Sequence, residues 1–319
     1  MNAAVVRLFG DPPAYEPFDT PTPTKPDEML IDVLAAGLHP RTRSSANGSH
    51  YTSTGRLPMI PGLDGIGRDP DGQLRYFVLH DTHLGSMAEQ VLIDPRRSVV
   101  LPADTDVSKV AAAMNPAMAS WIALRKRIAL QPGQSVLVLG ATGNAGRMAV
   151  QVAKRLGAAT VVGAGRDAKR LAALTSAGAD ELVALTDDDE ATGRALGAAA
   201  AEVDIVIDYL WGKPTERAIM ALLTARSDRS RALDWIQIGA IAGPTIELPS
   251  VALRSANLRL QGNGQGAVST EAYLAELPSL VDEIDAGTIA VRPNPVPLAD
   301  VEEAWSRPDA PGTRTVLVP

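Results

Sequence analysis

Val136-Leu137-Val138-Leu139-Gly140-Ala141-Thr142-Gly143-Asn144-Ala145-Gly146 decides the fold class of this 319-residue chain. An apolar run of strand length passes directly into a glycine-rich turn. Beyond the turn, Ala145, Met148, Ala149, Val152, Ala153 and Leu156 recur at the spacing of one buried helix face. Strand, tight turn and helix in this order gather unpaired backbone N–H groups and the positive end of the helix dipole at one point. Gly143 lets a diphosphate come close to the backbone, and Gly146 lets the helix pack tightly on the strand. The segment therefore reads as a dinucleotide-binding turn, with Gly140, Thr142, Gly143, Asn144, Ala145 and Gly146 at the ligand. An ordinary tight strand–helix turn is the alternative.

The residues on either side extend the same pattern. Strand candidates are Ser135 to Leu139, Thr160 to Gly163, Glu181 to Leu185, Val203 to Asp208, Trp235 to Gly239 and Leu258 to Gln261, with helical patterns between most of them. Six strands with crossovers predict an α/β unit with a doubly wound parallel sheet. The alanine-rich stretch Ala191 to Ala201 reads as one of the helices. Before this region, Val110 to Leu130 is helical in character and closes at Gln131-Pro132-Gly133. The first 110 residues differ. Short apolar runs at Ala3 to Leu8, Met29 to Leu34, Leu74 to Leu79 and Ala88 to Ile93 are separated by Pro- and Gly-rich turns, which suggests a partly closed β-domain. Ala272 to Ile284 reads as one further helix, followed by a return to the β-domain.

The second strand of the parallel sheet bears on which dinucleotide fits. An NAD site of this kind ends that strand in an acid bonded to the ribose 2′-hydroxyl. Here the strand reads Thr160-Val161-Val162-Gly163-Ala164-Gly165-Arg166, with Ala164 taken as the acid position and Arg166, Lys169 and Arg170 just beyond. Losing the acid removes repulsion toward a 2′-phosphate, and a guanidinium grips it through paired hydrogen bonds. NADP(H) is the expected cofactor, with Gly165, Arg166, Lys169 and Arg170 around the 2′-phosphate. Asp167 complicates this as a competing partner for Arg166, and a solvated helix face is the plainer alternative.

Composition excludes other classes. A net charge of −7 and a pI near 5.2 argue against nucleic acid or an anionic membrane as partner. No apolar run reaches the roughly 20 residues needed to span a bilayer. The N-terminus shows no signal-peptide pattern, and a cytoplasmic enzyme is expected. The chain has no cysteine, which removes disulfides, thiolate nucleophiles and Cys-ligated zinc. Its histidines are His39, His50, His80 and His83. His80 and His83 sit in a stretch that reads as a loop, so no metal site is expected.

Further motifs carry a resemblance. Ala35-Ala36-Gly37-Leu38-His39-Pro40 is similar to "AAGVNP", and Tyr51, Pro58, Pro61 and Gly62 keep the spacing Y-x6-P-x2-P-G. Gly85-Ser86-Met87-Ala88-Glu89 is similar to "GSFAE", and Gln131 to Ala158 to the "LKPGE…GAAGGVG…AKxxGA" block. Over nearly its whole length the chain resembles the medium-chain dehydrogenase/reductase superfamily, in its zinc-free quinone oxidoreductase branch. The resemblance implies a GroES-like, partly open β-barrel catalytic domain over residues 1–113, completed by 285–319. It also implies a six-stranded Rossmann domain over 114–284. Zinc-dependent relatives place His-Glu after the glycine that matches Gly62, where this chain has Leu63-Asp64, and the cysteine near His39 is missing. The span Gly65 to Arg75 is shorter than usual and carries a compact turn, Gly67 to Gly72, in place of the usual insert.

The resemblance also implies roles. Nicotinamide would lie in a cleft between domains, with the hydroxyl of Tyr51 on the substrate side to bond or protonate a carbonyl oxygen; a half-buried packing tyrosine is the alternative. His39 either orients substrate or cofactor, or caps a turn. His50 is a weaker candidate. Asn115, before Pro116, opens a helix near the nicotinamide ribose or acts as its N-cap. Ile238, Gly239 and Ala240 meet the nicotinamide carboxamide, and Asn263 lines the same crevice. Arg314 either approaches a cofactor phosphate or is a surface charge. The expected activity is NADPH-dependent reduction of a quinone or activated α,β-unsaturated carbonyl, with enoyl-thioester reduction or a non-catalytic NADPH sensor as alternatives. Relatives imply a homodimer through the edge strand Leu258 to Gln261.

Overall fold

A computed structural model describes residues 1–319. The chain divides into two compact units, Met1–Pro116 with Leu274–Pro319, and Ala117–Tyr273.

The second unit holds the parallel sheet. Its strands are β8 (Ser135–Leu139), β9 (Thr160–Gly165), β10 (Glu181–Ala184), β11 (Ile205–Asp208), β12 (Leu233–Gln237) and β13 (Leu258–Gly262). They stand in the order β10-β9-β8-β11-β12-β13, all parallel. The order reverses between β8 and β11, which makes that junction the topological switch point. Connecting helices include α3 (Asn144–Arg155), α4 (Ala168–Ala172), α5 (Asp189–Ala200) and α6 (Gly212–Ala225), with α7 (Ser250–Arg254) before β13. Strands covered on both faces read as continuous apolar runs. Val136 to Leu139 and Ile205 to Ile207 are accordingly fully buried, and Leu137, Leu139, Val162, Val206 and Trp235 share one core with Leu196, Ile219 and Leu222 from the helices.

The first unit is antiparallel for the most part. β1 (Asn2–Val5) pairs with β2 (Ala14–Pro17). β3 (Met29–Gly37), β4 (Asp64–Arg68), β5 (Leu74–Val78) and β7 (Ser98–Val100) form a sheet that β15 (Thr313–Val318) and β14 (Arg292–Pro297) extend, while β6 (Gln90–Ile93) pairs with β3. Helix α1 (Pro40–Ala46) follows β3, and α2 (Val107–Ile122) carries the chain across the boundary between units. α8 (Thr270–Leu274), α9 (Leu277–Asp285) and α10 (Val301–Ser306) complete the set. No helix is long and apolar enough to cross a membrane.

Three expectations need correction. The single helix over 272–284 is two, because Pro278 sits in the first turn of α9 and has no N–H to continue an earlier helix. α9 groups with the β-rich unit, where Asp285 accepts from Thr105 at 3.3 Å, rather than with the nucleotide fold. Finally, no strand is expected at Asp64–Arg68, yet it pairs with Leu74–Val78 across the expected turn. Two glycines hide β4 from a propensity reading, yet the sheet requires them. A Cβ on Gly67 would stand 2.2 Å from Ile31 Cγ2 and 2.4 Å from the Asp32 carbonyl oxygen. Gly67→Ala is therefore expected to lower the unfolding free energy by about 1–3 kcal/mol. Urea unfolding should show a reduced midpoint at unchanged slope, and an unshifted midpoint would contradict this packing.

Candidate functional site

The glycine-rich turn between β8 and α3 forms as the sequence pattern requires. Gly140 adopts a positive φ of 84°, which bends the chain out of β8, and the N–H groups of Gly140 and Ala141 both donate to the Ala164 carbonyl at 3.0 and 2.9 Å. A Cβ on Gly146 would lie 2.3 Å from the Gly140 carbonyl oxygen, so only glycine lets α3 come this close to the strand. Gly143, the N-cap of α3, is exposed, and a Cβ there would meet only one atom within 4 Å, at 3.6 Å. The turn is tight where helix meets strand and open where a ligand would approach. Thr142, Asn144 and Ala145 are half-buried around that opening.

The end of β9 lies against this turn. A Cβ on Gly165 would meet the Thr142 side chain at 2.4 Å, whereas Ala164 is fully buried in the core. Gly165 is thus the strand residue that lies against the glycine-rich turn, while Ala164, the expected acid position, faces the core. The next residue, Arg166, is exposed and has no partner, and Lys169 is likewise exposed and unpaired. Asp167 does not compete for Arg166. It caps α4 by accepting from the Arg170 N–H at 2.9 Å and pairs with the Arg170 guanidinium at 3.5 Å. Of the three expected cations, Arg166 and Lys169 are available to an anion, and Arg170 is tethered.

A feature that sequence reasoning did not single out follows β11. Asp208 is completely buried and its carboxylate accepts four hydrogen bonds, from Leu210 N (2.8 Å), Trp211 N (3.0 Å), Thr215 Oγ1 (2.6 Å) and Trp235 Nε1 (3.0 Å). This holds residues 209–212 in place at the switch point. Tyr209 comes next. Burial pushes its phenol pKa up, and its hydroxyl, directed toward Ser120, lacks a hydrogen-bond partner. The loop after β12 is built onto it: Ile238 and Gly239 N–H groups donate to the Asp208 carbonyl at 2.8 and 3.1 Å, and a Cβ on Gly239 would stand 2.7 Å from the Tyr209 carbonyl oxygen. Ala240 is exposed beyond it. After β13, Asn263 donates to the Ala119 carbonyl at 2.8 Å and leaves its Oδ1 buried without a partner. Gly140, Gly165, Tyr209, Ile238 to Ala240 and Asn263 therefore all sit at the carboxyl ends of the parallel strands. That is the edge at which open α/β sheets bind ligands.

In the β-rich unit His39 takes the capping alternative. Its ring is buried; Nδ1 accepts from the Thr42 N–H at 3.4 Å as the N-cap of α1, which leaves Nε2 to donate to Asp64 Oδ1 at 3.0 Å. Tyr76 donates to the other Asp64 oxygen at 2.7 Å. Both ring nitrogens are occupied, so His39 acts as a structural anchor of α1. Arg314 is not a surface charge. It is buried, donating to the Leu38 carbonyl and to Asp309, each at 2.9 Å, and so ties β15 to the turn that carries His39. Asn115 does not open a helix. α2 begins at Val107, where Asp106 accepts from Ser108 and Lys109 N–H groups at 3.1 Å, and Asn115 lies mid-helix. Pro116 follows it inside α2, where the sequence signal for a helix start misled. Tyr51 is 72% exposed, stacked on His50 with ring centroids 4.4 Å apart. No three His, Asp or Glu side chains gather as a metal-binding group.

Comparison with known proteins fits this geometry. The signature named "Zinc-binding dehydrogenase" matches residues 145–227. A probable NADPH-dependent quinone reductase of Emericella nidulans is 30% identical over 366 aligned residues that cover 100% of both chains. The chain belongs to the medium-chain dehydrogenase/reductase superfamily, in its quinone oxidoreductase-like branch. The solved quinone oxidoreductase of Thermus thermophilus, studied also in complex with NADPH, matches over 100% of each chain with a TM-score of 0.81 and 25% identity. That of Pseudomonas syringae pv. Tomato DC3000 matches 100% of this chain and 99% of its own, with a TM-score of 0.82 and 21% identity.

The anchoring histidine gives a pH signature. Burial outweighs the Asp64 carboxylate and holds the His39 pKa below its ordinary 6.5. As pH falls, the unfolded chain takes up this proton first. The stabilisation is complete above about pH 6.5 and is lost progressively as pH drops toward the folded value. Urea midpoints measured from about pH 7.5 down to 5 should fall less steeply for His39→Asn than for the unmodified chain. Parallel profiles would show that His39 is not buried neutral.

Proposed function

We propose that this chain is an NADPH-dependent oxidoreductase that reduces a quinone or an activated α,β-unsaturated carbonyl without zinc. The observation that carries the cofactor choice is the end of β9. A glycine stands where an acid would reject a 2′-phosphate, and the exposed guanidinium of Arg166 follows it without a partner. When bound, NADPH supplies the hydride. The chain's part is to hold and orient. The open backbone at Gly143 to Gly146 receives the diphosphate at the start of α3, where the helix dipole favours an anion. Arg166 and Lys169 hold the 2′-phosphate. The buried Oδ1 of Asn263 and hydroxyl of Tyr209 are polar atoms that a bound carboxamide or ribose would satisfy, which fits a dinucleotide along this edge.

Leu63 and the closed His39–Asp64–Tyr76 network support the zinc-free reading, because a catalytic zinc needs three protein ligands and these groups bond one another. Tyr51 is the candidate proton donor to the oxygen of the reduced acceptor. Its exposure leaves the hydroxyl accessible, and the stack on His50 fixes the ring. The full-length similarity to a probable NADPH-dependent quinone reductase supports the acceptor class.

Consumption of NADPH and of NADH, measured against quinones, 2-alkenals and an enoyl thioester with chelator present, tests this reading. Turnover of a quinone or 2-alkenal with NADPH preferred is expected. Arg166→Ala should weaken NADPH binding roughly tenfold or more with little change for NADH, as the loss of a charged hydrogen-bond partner implies. Equal use of both dinucleotides, or activity abolished by the chelator, would overturn it. Tyr51→Phe should lower turnover and alter its pH profile.

A further inference from the structure

Helix α2 ends in an unusual way. The five residues past Ile122, Ala123–Arg127, form a π-turn, and the Ile128 N–H reaches back to the Ala123 carbonyl at 3.0 Å. Such turns are uncommon and recur at functional sites, because one extra residue per turn re-aims the side chains it carries. Arg125 lies over the Trp121 ring, 5.0 Å from its centroid. Arg127 is aimed elsewhere. Its Nε donates to the Gly262 carbonyl at 3.2 Å and its Nη1 to the Ala267 carbonyl at 3.1 Å. One guanidinium therefore ties together both ends of the loop that follows β13.

The loop itself is short and bonded at its ends. The Asn263 N–H donates to the Gln237 carbonyl at 2.8 Å, and the Ala267 N–H to the Gly264 carbonyl at 3.0 Å. Between them Gly264, Gln265 and Gly266 are exposed, and Gly266 holds a positive φ of 91°. Asn263 is only 8% exposed; its Nδ2 is spent on the Ala119 carbonyl, and its Oδ1 has no hydrogen-bond partner. A buried amide oxygen is normally satisfied and can only accept. The group it lacks is an N–H or O–H donor, and such a donor reaches a buried atom only when the loop around it shifts. Two glycines flanking Gln265 allow that shift, and the Arg127 bonds reverse it.

We propose that Arg127 is a positioning residue that latches this loop on the nicotinamide end of the dinucleotide, with Asn263 Oδ1 accepting from the carboxamide NH2 or a ribose hydroxyl. The proposal rests on the dinucleotide reading of this sheet edge and adds the group that controls release. Arg127 touches no reacting atom. Arginine suits the role because its planar fork presents several donors in fixed directions, where an ammonium is a single point. The latch is also remote from the 2′-phosphate end. Three strands separate β9 from β13, so Gly165 and Gly262 stand four strand spacings apart, about 19 Å. Arg127 accordingly acts on NADPH and NADH alike, whereas Arg166 distinguishes them.

Stopped-flow displacement measures the dissociation rates of NADPH and NADH. Arg127→Ala should raise both roughly tenfold, the scale of two hydrogen bonds, with association rates little changed. Arg166→Ala should affect NADPH alone. A merely structural role would lower the unfolding temperature of the free protein and leave both dissociation rates as they were. Hydrogen exchange gives a second readout that needs no turnover. NADPH should slow exchange of the amides over 263–267 in the unmodified chain, and Arg127→Ala should remove most of that slowing. If Arg127→Ala does not fold, Arg127→Gln, shorter and uncharged, should raise both rates by a smaller factor. Unchanged dissociation, or an effect confined to NADPH, would overturn the latch while the dinucleotide reading stands. If the unmodified chain binds neither dinucleotide, that reading fails and the latch falls with it.

Discussion

The parallel sheet depends on one tight contact, between helix α3 and the end of β8. The Gly140 carbonyl oxygen lies where a Cβ on residue 146 would be, so the helix meets the strand with no side chain between them. The consequences spread outward. Ala164 must offer its carbonyl to both Gly140 and Ala141, which draws β9 against the turn and sets Gly165 against Thr142. That position then fixes where the chain leaves the sheet, and it leaves through Arg166. The glycine-rich turn and the cationic exit from the neighbouring strand are thus products of one packing contact.

A second anchor acts on the other half of the same sheet. The Asp208 carboxylate is buried with four donors, a full complement for its two oxygens, so its burial is compensated. It pins residues 209–212, and the loop after β12 is bonded onto them. The two anchors flank the point where strand order reverses. The exposed turn is bounded by rigid backbone on both sides, which is what preorganised binding of a long, flexible dinucleotide requires.

The β-rich unit uses buried polar groups differently. His39, Asp64 and Tyr76 bond one another, while Arg314 bridges Asp309 to the carbonyl just before His39. Here the polar atoms close on themselves, and the network orders the start of α1.

The sequence by itself determined the parallel sheet, because strands buried on both faces are apolar throughout and the glycines of the phosphate turn are chemically obligatory. It carried the expectation of a 2′-phosphate for a similar reason: charge is written in residue type, and both Arg166 and the missing acid are local. It did not determine β4, since Gly65 and Gly67 look like a turn until the partners that crowd them are known. Nor did it settle His39, Arg314 or Asn115, each sitting at a motif position that permits more than one role. Only tertiary structure decided those, because a side chain's role depends on which distant atoms reach it: Asp64 for His39, 25 residues away, and Leu38 for Arg314, 276 residues away. Asp208 and Arg127 escaped the sequence reading for the same reason. Burial and the presence or absence of a partner are properties of the assembled fold, and no local spacing encodes them.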